Sequence, residues 1–244
     1  MYNFRDVAGR EGYAANGGRM RSGILYRSNA LDAESVDDVR LRGLGLTRIF
    51  DLRTTAEVSP RPDVVLAGAE YLRFNVIGDE LSLDALDPAS LTDAAGAREL
   101  LIDVNRLFVR DANARAEFGA LLRSIADHDG AHVFHCSAGK DRTGWAAALV
   151  QRLVGVSIDD VMDDYLLTNE YSAAAIDAIA AKAAEGRGRD VGEAARVLAG
   201  VFPEALQAAF EEADTRYGGV EGYVRDGLGV DESTAERLRR KLVG

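Results

Sequence analysis

One ten-residue stretch, His135-Cys136-Ser137-Ala138-Gly139-Lys140-Asp141-Arg142-Thr143-Gly144, gathers an imidazole, a thiol, two cations, a carboxylate, two hydroxyls and two glycines. It follows a short, largely apolar run, Ala131 to His135, that reads as a strand feeding a loop. An oxyanion such as phosphate is held by backbone N–H groups converging in a tight loop and by the positive end of a helix beyond it. Ser137, Ala138 and Gly139 are small enough for the backbone to approach the anion's oxygens, and glycine can take conformations closed to other residues. Arg142 closes the loop, and its planar guanidinium can bind two oxygens at once, more strongly as they flatten in a transition state. A helix start and nearby cations favour the thiolate form of a cysteine, the form that attacks. Attack of Cys136 on phosphorus would make a phosphocysteine and divide hydrolysis into two displacements. Thr143 could donate a hydrogen bond to the sulfur as it leaves, and His135 would orient the loop by hydrogen bonding.

Two rival readings of the stretch are weaker. A free cysteine is most often an inert buried residue, but here His, Cys, Gly, Lys, Arg and Thr all fall at useful offsets after a strand. A nucleotide-binding loop would need Ser or Thr where Asp141 stands and glycine where Phe134 stands.

The elements that must present this loop can be read on either side of it. Ile24-Leu25-Tyr26 and Thr47-Arg48-Ile49-Phe50 read as strands, with a helix from about Glu34 to Arg42 between them and a stop at Gly43. Strand, helix, strand predicts parallel pairing. Pro60 and Pro62 mark a turn before a further strand, Glu70 to Val76, and a polar loop with Gly78, Asp79 and Glu80 follows. Residues 91 to 127 are helical in pattern, and Trp145 to Leu153 reads as a buried helix. Beyond Gly155 the chain is almost wholly helical, with Ser157-Ile158-Asp159-Asp160 capping a helix to about Tyr171. The fold class is therefore α/β, a mainly parallel sheet flanked by helices with a helical C-terminal half. No linker divides the chain, which reads as one domain over 1–244. Residues 172–200, Ala-rich and interrupted by Glu185-Gly186-Arg187-Gly188-Arg189-Asp190, read as a helical insertion or lid.

Composition sets the surroundings. With 244 residues, 47% of them apolar, the chain can bury a substantial core. A net charge of −11 argues against nucleic acid as a partner, so an anionic substrate needs a local positive site. Cys136 has no second cysteine to pair with, which suits a reducing compartment, the cytoplasm by default. Neither a signal peptide at the first residues nor an apolar stretch of membrane-spanning length is present, although export without a signal stays compatible with that reading.

The stretch from His135 to Gly144 resembles the signature of the protein tyrosine phosphatase superfamily: His-Cys, five residues, Arg, then Ser or Thr. With Lys-Asp before the arginine, it is most similar to bacterial tyrosine and phosphoinositide phosphatases. Asn3-Phe4-Arg5-Asp6, Leu25-Tyr26-Arg27-Ser28, Asp51-Leu52-Arg53, Asp164-Tyr165-Leu166-Leu167-Thr168-Asn169 and Tyr217-Gly218-Gly219-Val220-Glu221-Gly222-Tyr223 are also similar to family segments. The resemblance implies hydrolysis of phosphotyrosine, with phosphoserine, phosphothreonine or phosphoinositides as further substrates, and no metal or other cofactor. The superfamily's usual acid lies in a Trp-Pro-Asp loop, which this chain lacks; Trp145 is its single tryptophan. Members with the Lys-Asp loop imply Asp141 as the acid, with Asp79 and Asp51 as the next choices. Lys140 adds a second positive charge for multiply phosphorylated substrates. Asn3, Arg5, Asp6, Arg27 and Arg53 are expected to brace the loop or line the pocket. The competing class is a phosphate-binding interaction module of the same fold, which would recognise phosphorylated partners without turnover. Arsenate reduction would need further redox cysteines.

Overall fold

A computed structural model of the protein describes residues 1–33, 36, 41–64, 66–79 and 93–244. The predicted helix from Glu34 to Arg42 falls mostly outside these residues. Strands β1 (Arg5–Asp6), β4 (Leu25–Ser28), β5 (Leu46–Asp51), β6 (Glu70–Arg73) and β7 (Ala131–His135) form one sheet in the order β1-β4-β7-β5-β6. Only the β1–β4 pair is antiparallel. Short strands β2 (Ala14–Ala15) and β3 (Gly18–Arg19) pair separately. The two strands of the predicted strand-helix-strand unit do not touch, because β7 inserts between them and pairs in parallel with both. This makes β7 the central strand, buried along its whole length, and in such a sheet the crevice beyond the strands' carboxyl ends is where ligands bind.

The helices are α1 (Thr55–Val58), α2 (Ala94–Arg110), α3 (Ala112–Asp127), α4 (Asp141–Leu153), α5 (Ile158–Tyr171), α6 (Ala173–Ala184), α7 (Arg189–Ala199), α8 (Pro203–Tyr217), α9 (Val220–Gly222) and α10 (Glu232–Leu242). The helical run expected up to Asp127 is two helices. Asp111, extended at ψ 135°, ends the first through its N–H to Leu107 O (2.9 Å) and caps the second through its carboxylate to Ala114 N (2.8 Å). Helix α4 starts four residues before the predicted Trp145, directly out of the loop. Its Trp145 is fully buried, with Phe210 edge-on at 5.1 Å and Tyr223 tilted at 5.8 Å. Truncating so large a buried ring costs about 3–5 kcal/mol, so this contact clamps α4 to the C-terminal helices. Helices α6 and α7 pack on each other, and α7 lies against α2. Asn169 pins the return of that hairpin by accepting from Val201 N (2.9 Å) and donating to Val201 O (2.8 Å). Among the described residues, no helix is long and apolar enough to cross a membrane.

The chain's end is tied to the central strand. Lys241 Nζ on α10 donates to Ile125 O (2.8 Å) and stands 2.9 Å from Nε2 of the fully buried His132 on β7. Burial and the Lys241 ammonium hold the His132 pKa down to about 4, against 6.5 in the unfolded chain. The unfolded chain therefore takes up this proton first, and the stability His132 contributes is complete above pH 6.5 and lost as the pH falls to about 4. The loss amounts to about 3 kcal/mol. Urea unfolding between pH 7 and 4 should show this decline in the parent and a shallower one in His132→Gln; equal slopes would refute the assignment.

Candidate active site

The loop between β7 and α4 runs from Cys136 to Lys140, and its shape is set by donors outside it. Ser137 O accepts from Ala30 N (3.1 Å), Ala138 O from Asn3 Nδ2 (3.3 Å), and Gly139 O from both Asn3 Nδ2 (2.6 Å) and Arg27 Nη2 (3.0 Å). A trans peptide carries its N–H opposite its C=O, so the N–H groups of Ala138, Gly139 and Lys140 all turn to the other face. Cys136 O, 3.3 Å from His135 Nδ1, turns the Ser137 N–H in the same way. None of these four N–H groups donates a hydrogen bond among the described residues. Successive unpaired N–H groups of this kind form an anion-binding concavity. Gly139 makes the turn possible at φ +69°; a Cβ there would stand 2.3 Å from Ser28 O. The Cys136 side chain is 97% buried at the mouth of this arc, where its relative exposure is 3%.

Arg142, in the first turn of α4, is held by a residue the sequence reading did not single out. Its Nη1 and Nη2 grip Glu57 Oε2 and Oε1 at 2.7 and 2.6 Å, and Nη1 also donates to Leu52 O at 3.2 Å. These three bonds leave the Nε–H and the outer Nη2–H, the side-on edge that can take two oxygens of an anion. Glu57 also accepts from Ser137 Oγ (2.5 Å) and from Thr54 N (2.9 Å), the latter within a capping box at the start of α1. Burial opposes the charge on Glu57, but Arg142, then Ser137 and Thr54, outweigh it and hold its pKa at about 2. The Thr-x-x-Glu spacing from Thr54 to Glu57, just after β5, was the signal available in the sequence.

His135 faces away from the anion cradle into a buried charged network. Its Nε2 lies 2.7 Å from Asp63 Oδ2 and its Nδ1 3.8 Å from Asp51 Oδ1. Although burial pulls the other way, these two carboxylates raise the His135 pKa. Arg53 binds Asp51 (2.8 Å) and Asp63 (2.7 Å), and Tyr71 Oη donates to Asp51 (2.7 Å). Despite burial, His135 and Arg53 keep the Asp51 pKa low. Asp51, Asp63 and His135 present ligand atoms within 4.8 Å of one another. Their atoms are already engaged with one another, however: Arg53 binds both carboxylates, and His135 Nε2 meets Asp63 Oδ2.

The remaining candidates separate. Asp141 and Lys140 sit at the start of α4, with Lys140 Nζ 2.7 Å from Asp141 Oδ2, while Asp141 Oδ1 and Thr143 Oγ1 are buried without hydrogen-bond partners among the described residues. Asp79 is exposed and accepts from Thr55 N (2.9 Å), Thr55 Oγ1 (2.8 Å) and Asn75 Nδ2 (2.8 Å); these bonds lower its pKa and make it a cap for α1. Of the expected braces, Asn3 and Arg27 touch the loop directly and Arg5 reaches it through Asn3 Oδ1. Asp6 instead takes the Ala8 and Gly23 N–H groups, and Arg53 stays within the His135 network.

A family model described as the tyrosine phosphatase family matches residues 1–244. The chain is 33% identical to a protein of Cupriavidus necator named as a candidate tyrosine-protein phosphatase, over 94% of this chain and 82% of that one. It is 31% identical to the triple specificity protein phosphatase PtpB of Mycobacterium tuberculosis, over 100% of this chain and 97% of that one. A tyrosine-protein phosphatase of Nostoc commune is 30% identical, over 83% and 68% respectively. With its cradle of unpaired N–H groups closed by an arginine, and with the family match running from end to end, the chain belongs to the tyrosine phosphatase family.

Proposed function

We propose that the protein is a cysteine-dependent phosphomonoesterase acting on phosphotyrosine, and on phosphoserine, phosphothreonine or phosphoinositide esters, through a phosphocysteine. What supports this is one observation: a buried thiol at an arc of four unpaired N–H groups, faced by an arginine with one bidentate edge left. The Cys136 thiolate attacks phosphorus, the P–O bond to the leaving group breaks, and the departing oxygen takes a proton from the Asp141 carboxyl. Water then attacks the phosphocysteine, the P–S bond breaks, Asp141 recovers a proton, and inorganic phosphate leaves. Thr143, with its buried and unpartnered hydroxyl, donates to the departing sulfur. Lys140, buried beside the loop and paired with Asp141, supplies a second cation for substrates carrying another phosphate. The mechanism needs a reduced thiol, which favours a reducing compartment such as the cytoplasm.

The nucleophile is tested by Cys136→Ser, which should lose turnover of p-nitrophenyl phosphate while still binding vanadate; turnover near the parent rate would exclude the mechanism, and a parent without turnover would favour the interaction module. Asp141→Asn should slow esters with poor leaving groups far more than p-nitrophenyl phosphate, because a good leaving group needs little help from an acid. Equal slowing of both would assign the proton to another group. Glu57→Gln should leave Arg142 loosely placed and cut kcat/KM on the order of a hundredfold, the cost of about 1 Å of misplacement at a reacting centre. A parental kcat/KM would show that Arg142 needs no such support.

A further inference from the structure

On the outer side of the loop, opposite the N–H arc, one carboxylate serves two arginines. Asp164, on α5 and 1% exposed, accepts from Arg27 Nη1 (3.0 Å) and from Arg5 Nε (3.0 Å). Its own backbone oxygen accepts from Arg5 Nη2 (2.8 Å). Two hydrogen-bonded paths run from Asp164 to the loop. Through Arg27 the path reaches Gly139 O directly; through Arg5 it passes to Asn3, whose side chain bonds both Ala138 O and Gly139 O. Arg27 is fully buried on β4, in register with Phe134 two residues before the cysteine. The bare first turn of α4 makes room for the Tyr165 ring, which a Cβ at Gly144 would approach to 2.8 Å, while Arg27 Nη2 would lie at an ordinary contact distance of 3.7 Å.

Asn3 already gives Gly139 O a neutral donor, so the hydrogen bond alone does not account for a buried arginine beside it. What Arg27 adds is charge. With two guanidinium groups against one carboxylate, the outer side of the loop keeps an excess positive charge.

We propose that Arg27 and Asp164 are positioning residues of the phosphate loop: Asp164 fixes the Arg27 guanidinium on the Gly139 carbonyl, which aims the Lys140 N–H at the bound oxyanion and sets a buried positive charge behind the Cys136 sulfur. This rests on reading the loop as the phosphate-binding and nucleophilic site. Arg27 stays protonated at neutral pH even though burial and Arg5 bring its pKa down to about 10, with Asp164 and the sulfur acting in the opposite sense. Among the other charged and titratable groups of the site, Tyr2, His135, Lys140, Asp141, Arg142, Glu57 and Arg5, the further cation on this side of the loop is Arg5, and it is committed to Asp164 and Asn3 without a bond to the loop itself.

The test compares the full-length parent with Arg27→Gln, Arg27→Lys and Asp164→Asn. Each is measured for melting temperature, vanadate inhibition, kcat and KM, and the pH dependence of Cys136 alkylation by iodoacetamide. In Arg27→Gln a neutral donor can still reach Gly139 O, so alkylation should require higher pH while vanadate binds roughly tenfold more weakly. Arg27→Lys keeps the charge but lacks the fork, so its alkylation profile should stay near the parent's while its vanadate affinity falls. Asp164→Asn should show both defects; if it does not fold, the two Arg27 variants carry the test. A folded Arg27→Gln with parental alkylation and parental vanadate affinity overturns the proposal. A parent that neither hydrolyses phosphate esters nor binds vanadate overturns the reading of the site, and the proposal with it.

Discussion

Three carbonyl groups in succession, those of Ser137, Ala138 and Gly139, point out of the loop because each has a donor outside it. The rest of the site depends on that constraint. A peptide plane is rigid, so fixing the carbonyls fixes the N–H groups, and an anion site results without a charged side chain inside the arc. The donors come from distant parts of the chain: Ala30 just after β4, Asn3 from the N-terminal segment, and Arg27 from within β4. This explains why β4 lies beside β7, with β1 on the far side of β4. Their place in the sheet brings Asn3 and Arg27 to the same side of the loop, and the left-handed conformation of Asn3, φ +52°, aims its amide at two carbonyls at once.

The opposite flank is organised around Arg142. A guanidinium has five N–H bonds, and three of Arg142's are committed to Glu57 and Leu52. Its orientation therefore does not have to be found when an anion arrives, which removes part of the entropic cost of binding. Glu57 also holds Ser137, so one carboxylate couples the arginine to the loop it closes. Behind both lies the His135 network, where Arg53 and the His135 imidazole meet two carboxylates. Breaking such a buried set leaves an uncompensated charge at a cost of about 3–5 kcal/mol, which holds the base of the loop in place.

How much of this could be read from sequence follows from the range of the interactions. The strand Ala131–His135, the loop and the helix after it are local in sequence, and apolar run, small residues and arginine announce them in order. The cap at Ser157 is equally local and agrees with the expected motif, its Oγ accepting from Asp160 N at 3.1 Å. Sheet order was less legible. That β7 would fill the space between β4 and β5 depends on pairing across a hundred residues, on which periodicity is silent. The break at Asp111 escaped for a different reason: apolar spacing continues through it, and only the residue's double role as end and cap reveals two helices. Glu57 and Asp164 were missed as site residues because their importance lies in partners 85 and 137 positions away.

The charge arrangement answers a question that composition raises, how a chain of net charge −11 could hold the phosphate ester proposed as its substrate. Most of the cations nearest the loop are balanced in place, Lys140 by Asp141, Arg142 by Glu57 and one of the pair Arg5 and Arg27 by Asp164, which leaves a single buried positive charge in excess behind the loop. Affinity must then come mainly from groups that act at contact distance, the four N–H dipoles and the open edge of Arg142, with one buried charge behind the loop rather than a broad positive field. Repulsion from the distant acidic surface is screened over about 8 Å at physiological ionic strength and scarcely reaches a recessed loop. Contact dipoles also favour what fits: an anion of tetrahedral shape and phosphate size meets every donor, whereas a long-range field would attract any polyanion. A negative net charge and the proposed phosphate site are thus compatible, because the site's donors act on a single group at contact distance.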